Sequence, residues 1–502
     1  MISRFLREQK RYTQKELCQI LQCSEEKVVS LIRKLKEYGV LKAVKVSDAQ
    51  RNMSDLLDED IEVADVEVGE NEYLYVFTFV GVITVAGRVL KCYPKYILNV
   101  SDPKEELKTV LKVLERYNSK EQIIRMWNES SESQSFNLLA VLLFLLNDYY
   151  ENDSYSNTED IIESNGTGEI LWEKTVNETF TYLSNGRPYY TDLQTKKRVN
   201  DDYDYFKRLH ECLITVASKE LEEADLLDLF EITGADLSDE DLDDFGDKEY
   251  ILYRIERELN VQFNTRKQLV LKAIYAYVDR RGSLMDINGL SMFGTNSFNL
   301  VWEDVCKAIL DDKLDKPLRL LKLPVPLRDE YNDCLSLLDL IEKPFWSATG
   351  MVAADTLIPD AVSIAKSGCD DLFIIFDAKY YVPRLTTGKP PKSMPGIESV
   401  TKQYLYQMAY KQFIKDHGFT KSFNCFIMPT EKEEIIDKGY VSMKMFENLA
   451  LDKILVRMLP ATKAYEYYLS GKTLPIVELK MNYKKPGGFF FFFFDGEKEE
   501  SL

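Results

Sequence analysis

The sequence predicts an α/β protein whose carboxyl-terminal part contains a mixed sheet flanked by helices. The run Leu372–Tyr380 opens with five apolar residues, as a strand buried on both faces requires. The segment Ile397–Asp416 then has the length and composition of a helix, with Gln403 and Gln407 one turn apart. Near the start of the chain, Tyr12–Val46 has the pattern of two capped helices followed by a short strand.

Carboxylates stand on the two predicted strands at the centre of this carboxyl-terminal part. The first strand, Leu357–Ile364, carries Asp360, and a polar turn containing a glycine leads into the second strand. The second strand ends in Asp377 and Lys379, which share one face because side chains alternate along a strand, while Ala378 packs on the other. Charged groups at the end of an apolar strand are costly to bury unless they are paired or bind a cation.

Two carboxylates and a lysine suit phosphodiester hydrolysis assisted by Mg²⁺. This ion prefers oxygen ligands and is often held by one or two carboxylates, and it activates water for attack on phosphorus. We therefore expect Asp360, Asp377 and Ala378 to form the metal site, with Lys379 orienting the water or neutralising charge in the transition state. A structural salt bridge at the strand end is the alternative.

This layout, Pro359-Asp360 followed by Asp377-Ala378-Lys379, resembles the PD-(D/E)xK nuclease superfamily. The resemblance implies a restriction-endonuclease-like sheet. It also implies that Gln403 and Gln407, on the helix after the catalytic strand, hold the nucleophilic water or a backbone phosphate.

In that superfamily a glutamate on a helix often completes the metal site. Glu303, in the segment Phe293–Leu310, is the candidate that comes in the matching order along the chain. Glu169 and Glu173 stay open as alternatives.

A more specific resemblance is to the LlaJI family of bacterial restriction endonucleases, over roughly residues 60–480. Besides the motifs above, it is carried by Phe79–Ile97 (FVGVITVAGRVLKCYPKYI), Gly168–Thr175 (GEILWEKT) and Phe293–Cys306 (FGTNSFNLVWEDVC). The family resembles McrC-type nuclease subunits, which work with an McrB-like AAA+ GTPase. The resemblance therefore implies defence against foreign double-stranded DNA and a GTPase partner.

The amino-terminal pattern predicts a winged helix-turn-helix over residues 1–48. Thr13 and Glu16 have the spacing of a capping box, and Ser24 is placed to cap the second helix. That helix would present four side chains to DNA: Lys27, Ser30, Arg33 and Lys34. Such units also bind proteins, so a protein-binding role is the alternative.

The remaining chain is predicted to form an α+β middle region, residues 60–281, before a nuclease domain at residues 282–485. Strands are expected in Tyr73–Tyr93, with turns at Val80-Gly81 and Ala86-Gly87. Helices are expected at Pro103–Tyr117, Ser135–Tyr150, Glu169–Leu183, Tyr203–Glu223 and Glu249–Arg281. This middle region is a candidate contact surface for DNA or for a partner.

The net charge of −19 opposes DNA binding by the chain alone, because phosphate contacts need basic side chains. The charge is unevenly distributed: residues 1–47 hold eleven basic and five acidic side chains, whereas residues 220–249 hold fourteen acidic residues and one lysine. We interpret the acidic segment as a solvated helix and loop, with DNA mimicry or partner binding as the alternative.

Other sequence features exclude several classes of function. The two histidines, His210 and His417, are far apart, which argues against HEXXH zinc sites and Ser-His-Asp hydrolases. No GxxxxGK[ST] stretch occurs, so nucleotide hydrolysis through a P-loop would belong to a partner. Eight scattered cysteines, no apolar signal region and no membrane-length apolar run favour a cytoplasmic protein without a membrane contact.

These observations together predict a Mg²⁺-dependent DNA endonuclease subunit of a restriction system. A non-enzymatic DNA-binding adapter or regulator with a nuclease-like fold is the alternative from another class. The complete Asp360, Asp377 and Lys379 set favours the enzyme, because a degenerate scaffold has no reason to keep it.

Overall fold

The computed structural model describes residues 2–45, 73–118, 137–200, 204–280, 282–284, 286, 289–332, 335–385, 388 and 390–481. Within these ranges the chain is a mixed α/β protein with several separate sheets. The polar and acidic segment Ser47–Asp60, which the sequence predicts to be a linker, lies outside the described residues.

Two helices and a small sheet form the amino-terminal unit. Its elements are β1 (Ile2–Arg7), β2 (Arg11–Tyr12), α1 (Gln14–Leu21), α2 (Glu25–Glu37), β3 (Leu41–Lys45) and β4 (Tyr73–Phe77). The predicted capping box is present: the Glu16 N–H donates to Thr13 Oγ1 at 3.2 Å, and the Thr13 N–H donates to the Glu16 carboxylate at 2.7 Å. Ser24 stands at the N-cap position of the second helix, but its side chain makes no capping hydrogen bond, so that part of the prediction is wrong. Strands β2, β4 and β3 pair antiparallel in that order, and the apolar faces of both helices share one core with them.

A four-stranded sheet connects this unit to the rest of the chain. It contains β5 (Val80–Val85), β6 (Arg88–Tyr93) and β12 (Leu290–Thr295), in the order β1-β6-β5-β12 with β1 parallel to β6. The predicted turn at Ala86-Gly87 is confirmed, but Gly81 lies inside β5 instead of in a turn. A Cβ at Gly81 would lie 2.1 Å from the Phe293 carbonyl oxygen, so the glycine allows β5 and β12 to approach closely.

Helices of the middle region pack on this sheet in one large apolar core. They are α3 (Lys104–Asn118), α4 (Leu138–Asn152), α6 (Tyr205–Glu223), α7 (Lys248–Val261) and α8 (Thr265–Asp279), whereas the short α5 (Trp172–Glu178) contributes no residue to this core. The prediction of a single helix over Glu249–Arg281 is wrong, because the helix is interrupted at residues 262–264. There the Asn264 side chain accepts a hydrogen bond from the Lys267 N–H at 3.1 Å and caps a new helix.

The helix predicted for Glu169–Leu183 is also wrong. Only the short α5 forms, between strands of two small sheets: β7 (Thr158–Ser164), β8 (Glu169–Ile170), β9 (Thr181–Ser184), β10 (Arg187–Tyr190) and β11 (Gln194–Asn200). Thr175 accepts a hydrogen bond from the Gln194 N–H at 2.9 Å through its hydroxyl, and Thr179 has extended backbone after the helix. β-branched residues favour extended structure, which limits this helix to two turns.

The acidic segment at residues 220–249 packs against the protein more than predicted. Leu226, Leu229 and Phe245 are buried between its acids. Basic side chains of other elements pair with four of its carboxylates: Lys91 with Asp225, Lys104 with Asp228, Lys112 with Glu231 and Arg208 with Glu240. A solvated helix and loop were expected because acidic residues outnumber apolar ones in this segment, yet its few apolar residues reach the core.

The carboxyl-terminal part contains a five-stranded sheet in the order β15-β16-β17-β19-β18. The strands of this sheet are β15 (Ala361–Ser367), β16 (Asp370–Ala378), β17 (Lys421–Thr430), β18 (Ile436–Val441) and β19 (Ile454–Pro460). A separate pair of short strands, β13 (Phe345–Trp346) and β14 (Met351–Val352), comes before them. The helices of this part are α9 (Phe298–Ile309), α10 (Ile397–Asp416), α11 (Lys444–Glu447) and α12 (Ala461–Ser470). β16, β17 and β19 are parallel, whereas β15 and β18 are antiparallel to their neighbours.

Helices cover both faces of this sheet, as the apolar sequence of β16 predicts. Leu372, Ile374 and Phe376 point into the large core shared with α9 and α12, while Phe373 and Ile375 pack against α10. In the part of the chain that the structure describes, no helix combines the length and apolar character needed to cross a membrane.

Candidate active site

The candidate site lies where β15 begins and β16 ends. The two strands form an antiparallel hairpin whose turn is at Gly368, where φ is +61°. The register pairs Ala361 with Phe376, which brings the preceding Asp360 beside Asp377. Asp360 Oδ2 accepts a hydrogen bond from the Ala378 N–H at 2.7 Å, so its carboxylate is fixed across the end of β16.

Asp377 and Lys379 form an ion pair on one face of this strand end. Lys379 Nζ lies 2.7 Å from Asp377 Oδ1, with 25% of the lysine side chain and 6% of the aspartate side chain exposed. The alternation of side chains along β16 places both groups on the face covered by α10. A buried carboxylate needs such a partner, because burial of an unpaired charge is strongly unfavourable.

The surroundings of Asp360 disfavour its charged form. Burial, a hydrogen bond with Asp377 and repulsion from Asp377 and Glu303 raise the pKa of Asp360 to about 8, against the opposing effect of Lys379. Burial by itself would lower the pKa of Lys379, but Asp377 and Asp360 outweigh it, so the net shift is upward. Near neutral pH the lysine is therefore charged, while the carboxyl of Asp360 is mostly protonated.

Glu303 belongs to the same electrostatic cluster. It lies half-buried on α9, and burial raises the pKa of its carboxyl, with Lys379 opposing and Asp377 adding to the shift. The neighbouring Trp302 is fully buried and donates its indole N–H to the Ile427 carbonyl oxygen at 3.4 Å, which docks α9 on the sheet.

The other glutamates considered lie elsewhere. Glu169 is exposed in β8, where it lies opposite Lys196 in the register with β11. Glu173 is exposed in the first turn of α5. Both belong to the small sheets of the middle region, whereas Glu303 is the glutamate that interacts with Asp377 and Lys379.

The two predicted glutamines are buried in the interface between α10 and the sheet. Gln403 Nε2 donates to the Ile375 carbonyl oxygen at 3.2 Å, and its Oε1 has no hydrogen-bond partner among the described residues. Gln407 Oε1 accepts from Asn424 Nδ2 and from the Asp452 N–H, each at 3.1 Å, and its Nε2 donates to Asp452 Oδ2 at 3.0 Å. These contacts favour a structural role for Gln407 and leave an available acceptor on Gln403.

Tyr406 lies beside the carboxylates and was missed by the sequence reasoning. It is 6% exposed, and its hydroxyl donates to the Ile358 carbonyl oxygen at 2.8 Å, two residues before Asp360. Burial raises the pKa of this hydroxyl, and the charges of Asp377, Asp360 and Glu303 raise it further. A tyrosine between apolar residues of a helix predicts core packing, so only its position one turn from Gln403 could have suggested it.

The donor set suits Mg²⁺ in chemistry but is incomplete in geometry. Among the described residues, no group of three or more histidine, cysteine, aspartate or glutamate side chains is arranged to hold a metal ion. Asp360 and Asp377 nevertheless supply hard oxygen donors, which Mg²⁺ prefers while it keeps several waters. Burial and then repulsion from Asp377 and Glu303 raise the pKa of Asp360, and a divalent cation would stabilise the charged form against both, so these residues fit the ion.

The predicted DNA-contacting side chains lie on α2. Lys27, Ser30 and Arg33 are exposed at helical spacing on one face. Lys34 is half-buried, and its Nζ donates to the Gly289 carbonyl oxygen at 3.3 Å. Three of the four side chains are thus accessible to a ligand, while Lys34 contacts the segment that leads into β12.

Comparison with known proteins gives one family and several relatives. The family model described as LlaJI restriction endonuclease matches residues 79–462. The Bacillus subtilis (strain 168) protein named type II restriction enzyme BsuMI component YdjA is 26% identical over 414 residues, covering 80% of this chain and 83% of that protein.

Two solved structures from Thermococcus gammatolerans are also similar. McrB AAA+ hexamers with bound McrC align with a TM-score of 0.39 and 11% identity, covering 93% of this chain and 99% of that chain. A cryo-EM structure of the McrBC complex aligns with a TM-score of 0.24 and 13% identity, covering 60% and 84%. Similarity this low does not by itself establish a shared fold or function.

Proposed function

The chain belongs to the LlaJI restriction endonuclease family, and on this premise we propose that it is the Mg²⁺-dependent subunit that cuts DNA in a restriction system. The observation that carries the proposal is that the acid before β15 and the charged residues at the end of β16 lie together. Asp360 is fixed on the Ala378 N–H, and Asp377 is paired with Lys379 beside it. A buried acid, Asp377, a half-buried acid, Asp360, and a lysine at one point are groups that suit phosphodiester hydrolysis.

Each residue has a distinct role in this proposal. Asp360 and Asp377, with the backbone of Ala378, would hold Mg²⁺, which when bound polarises the scissile phosphate and activates water. Lys379 keeps its proton near neutral pH, so its ammonium stabilises charge that develops on the phosphate oxygens. Glu303 would add a carboxylate to the site, and Gln403 Oε1 offers an acceptor for an ordered water.

The proposed fold of this part is the PD-(D/E)xK sheet, with β15 and β16 as the catalytic hairpin. Its support is the mixed five-stranded sheet with helices on both faces and the order Glu303, Asp360, Asp377, Lys379 along the chain. The amino-terminal unit would act as a winged helix, with Lys27, Ser30 and Arg33 of α2 facing double-stranded DNA.

We further propose that an McrB-like AAA+ GTPase is the partner of this chain. The net charge of −19 opposes capture of DNA by the chain alone, and no P-loop motif is present in its sequence. The Bacillus subtilis relative is itself described as a component of a restriction enzyme. A division of labour, with nucleotide hydrolysis in the partner and cutting here, is consistent with both features.

A second candidate is a DNA-binding adapter without nuclease activity. The direct contact between Lys379 and Asp377 favours it, because a strand end with a purely structural salt bridge would have the same ion pair.

Plasmid cleavage by the purified chain distinguishes the two, measured with and without Mg²⁺, with and without GTP or ATP, and with and without an McrB-like NTPase. The enzyme predicts Mg²⁺-dependent cutting that Asp377→Asn abolishes. Asp370→Asn, at the opposite and exposed end of β16, is the matched control and should cut normally. No cutting under any condition would favour the adapter, whereas equal cutting by Asp377→Asn and the wild type would contradict the assignment of Asp377 to the site.

A further inference from the structure

A buried polar contact joins the amino-terminal unit to the strand end that carries the candidate site. Glu8, which follows β1, is 5% exposed and accepts a hydrogen bond from the Tyr380 hydroxyl at 2.6 Å. The same carboxylate oxygen accepts from the Lys95 N–H at 3.1 Å. Tyr380 directly follows Lys379 in sequence, so this contact holds the chain at the point where it leaves the active-site hairpin.

The loop after β6 completes this contact from a third part of the chain. Lys95 Nζ lies 4.3 Å from the centre of the Tyr380 ring and donates to Gln9 Oε1 at 3.1 Å. The Tyr96 ring packs edge-on against Tyr380 with 6.3 Å between centroids. Residues from the start of the chain and from the middle region therefore enclose the side chain next to Lys379.

Packing alone does not account for a carboxylate at this position. Burial raises the pKa of Glu8, while Lys95 and the Tyr380 hydroxyl favour its charged form. A buried polar group contributes little net stability compared with an apolar residue of the same shape, but it fixes one geometry. The Lys379 N–H donates to the Ile427 carbonyl oxygen at 2.8 Å, and the next described anchor of this segment is the Tyr380 hydroxyl.

We propose that Glu8 and Tyr380 are positioning residues for the cleavage step. Their hydrogen bond fixes the backbone that carries Lys379, so the position of this ammonium depends on how the amino-terminal unit is seated. Neither residue contacts a reacting group, since both act through the backbone of the strand end. The proposal rests on the proposed nuclease function and adds a route by which events at α1 and α2 reach the site.

The test compares buried tyrosine hydroxyls of the same aromatic cluster. Tyr380→Phe should lower the single-turnover cleavage rate at saturating DNA by about tenfold or more, while the Kd for DNA changes less than about twofold. Tyr465→Phe is the matched control, because it removes a hydroxyl that contacts Tyr96 at 2.9 Å and not Glu8. Equal rates in the two variants would overturn the proposal.

Variants of Glu8 provide the conservative comparison. Glu8→Gln retains an acceptor for the Tyr380 hydroxyl and should keep most of the rate, whereas Glu8→Ala should match Tyr380→Phe. Equally low rates in the glutamine and alanine variants would contradict positioning through this hydrogen bond.

Hydrogen exchange separates failure of this proposal from failure of the nuclease function. If the wild type does not cut DNA, the proposed function fails, and exchange of the amides around Lys379 still tests the anchor. Tyr380→Phe and Glu8→Ala should exchange faster there than the wild type, and Tyr465→Phe should not. Unchanged exchange in all three variants would show that the contact does not hold the strand end.

Discussion

Asp360 is a half-buried acid whose charged form is disfavoured by its partial burial and by repulsion from Asp377 and Glu303, and this gives the free protein a definite pH dependence. The pKa of Asp360 is about 8 in the folded chain, whereas that of an unfolded aspartate is about 3.9. The folded state therefore binds more protons between these values, and the contribution of this group to the free energy of unfolding falls as pH rises from about 4 towards about 8.

Asp360→Asn should remove this loss. The amide oxygen can still accept from the Ala378 N–H, so at pH 8 without Mg²⁺ the variant should be more stable than the wild type by roughly 1–3 kcal/mol. Thermal unfolding between pH 5 and pH 9 measures the effect. Asp370→Asn, which removes a surface pair with Lys421, is the control. If the stability of Asp360→Asn depends on pH as that of the wild type does, the raised pKa of Asp360 would be ruled out.

Mg²⁺ should stabilise the wild type at the same pH. An ion that binds only the folded state at one hundred times its Kd raises the free energy of unfolding by about 2.7 kcal/mol. Asp377→Asn should lose this shift, and EDTA should reverse it, while Asp370→Asn should keep it. This measurement needs no DNA. A melting temperature of the wild type that does not respond to Mg²⁺ would count against the metal site.

Sequence reasoning identified the residues of the hairpin but not all their contacts. The alternation of β16 predicts that Asp377 and Lys379 share a face, and the structure places them in an ion pair. The roles of the glutamines could not be predicted in the same way, because a helical pattern shows which residues share a face of α10 but not which groups their amides contact. Gln407 is satisfied by Asn424 and Asp452, residues distant in sequence.

At the scale of elements, α10 holds the segment that leads into Asp360. Tyr406→Phe removes the hydroxyl that donates to the Ile358 carbonyl oxygen, which should cost about 1 kcal/mol of stability and lower the single-turnover cleavage rate. Tyr410→Phe, one turn further along α10, is the control, because its buried hydroxyl has no hydrogen-bond partner among the described residues. Equal cleavage rates in both variants would argue against positioning of Asp360 by Tyr406.

A second prediction at this scale concerns DNA binding by the exposed face of α2. Arg33→Ala should weaken DNA binding and reduce its dependence on salt by about one phosphate equivalent. Lys34→Ala should have a smaller effect, because the Lys34 ammonium contacts the Gly289 carbonyl oxygen. Binding isotherms at two salt concentrations test both. An unchanged isotherm for Arg33→Ala would favour a protein partner for this unit.

Elements with a continuous pattern could be predicted, and those shaped by neighbours could not. The bounds of α10, Ile397–Asp416, agree with the prediction because nothing within the helix competes with it. The segment from Glu169 to Leu183 forms two strands around a short helix, because pairing with other strands outweighs a weak helical preference. Local propensity contains no information about such distant partners.

At the scale of the whole molecule, the parts of this chain are joined through shared sheets. β1 pairs with β6, and β4 completes the sheet of the amino-terminal unit, although both partners lie beyond the predicted linker in sequence. Strand pairing across that distance is set by tertiary contacts, so the sequence pattern predicts the strands and not this connection. The predicted limits 1–48, 60–281 and 282–485 stay a hypothesis about folding units.

The charge distribution leads to a prediction about assembly. The acids at residues 220–249 are partly neutralised within the chain, by pairs such as Lys91 with Asp225, but the net charge of −19 remains. Long-range repulsion should therefore make DNA capture by the isolated chain slow and strongly dependent on salt. A partner that carries the DNA to the site would remove this obstacle.

Mixing the purified chain with an McrB-like AAA+ GTPase, the partner proposed above, should give one larger species in gel filtration, faster GTP hydrolysis and faster DNA cleavage. The Asp377→Asn variant should assemble and stimulate GTP hydrolysis as the wild type does, because the side chain of Asp377 is 6% exposed and lies in the proposed cutting site and not on the surface. That variant separates assembly from cleavage. Rapid and specific double-strand cutting by this chain with Mg²⁺ alone would show that the partner is dispensable.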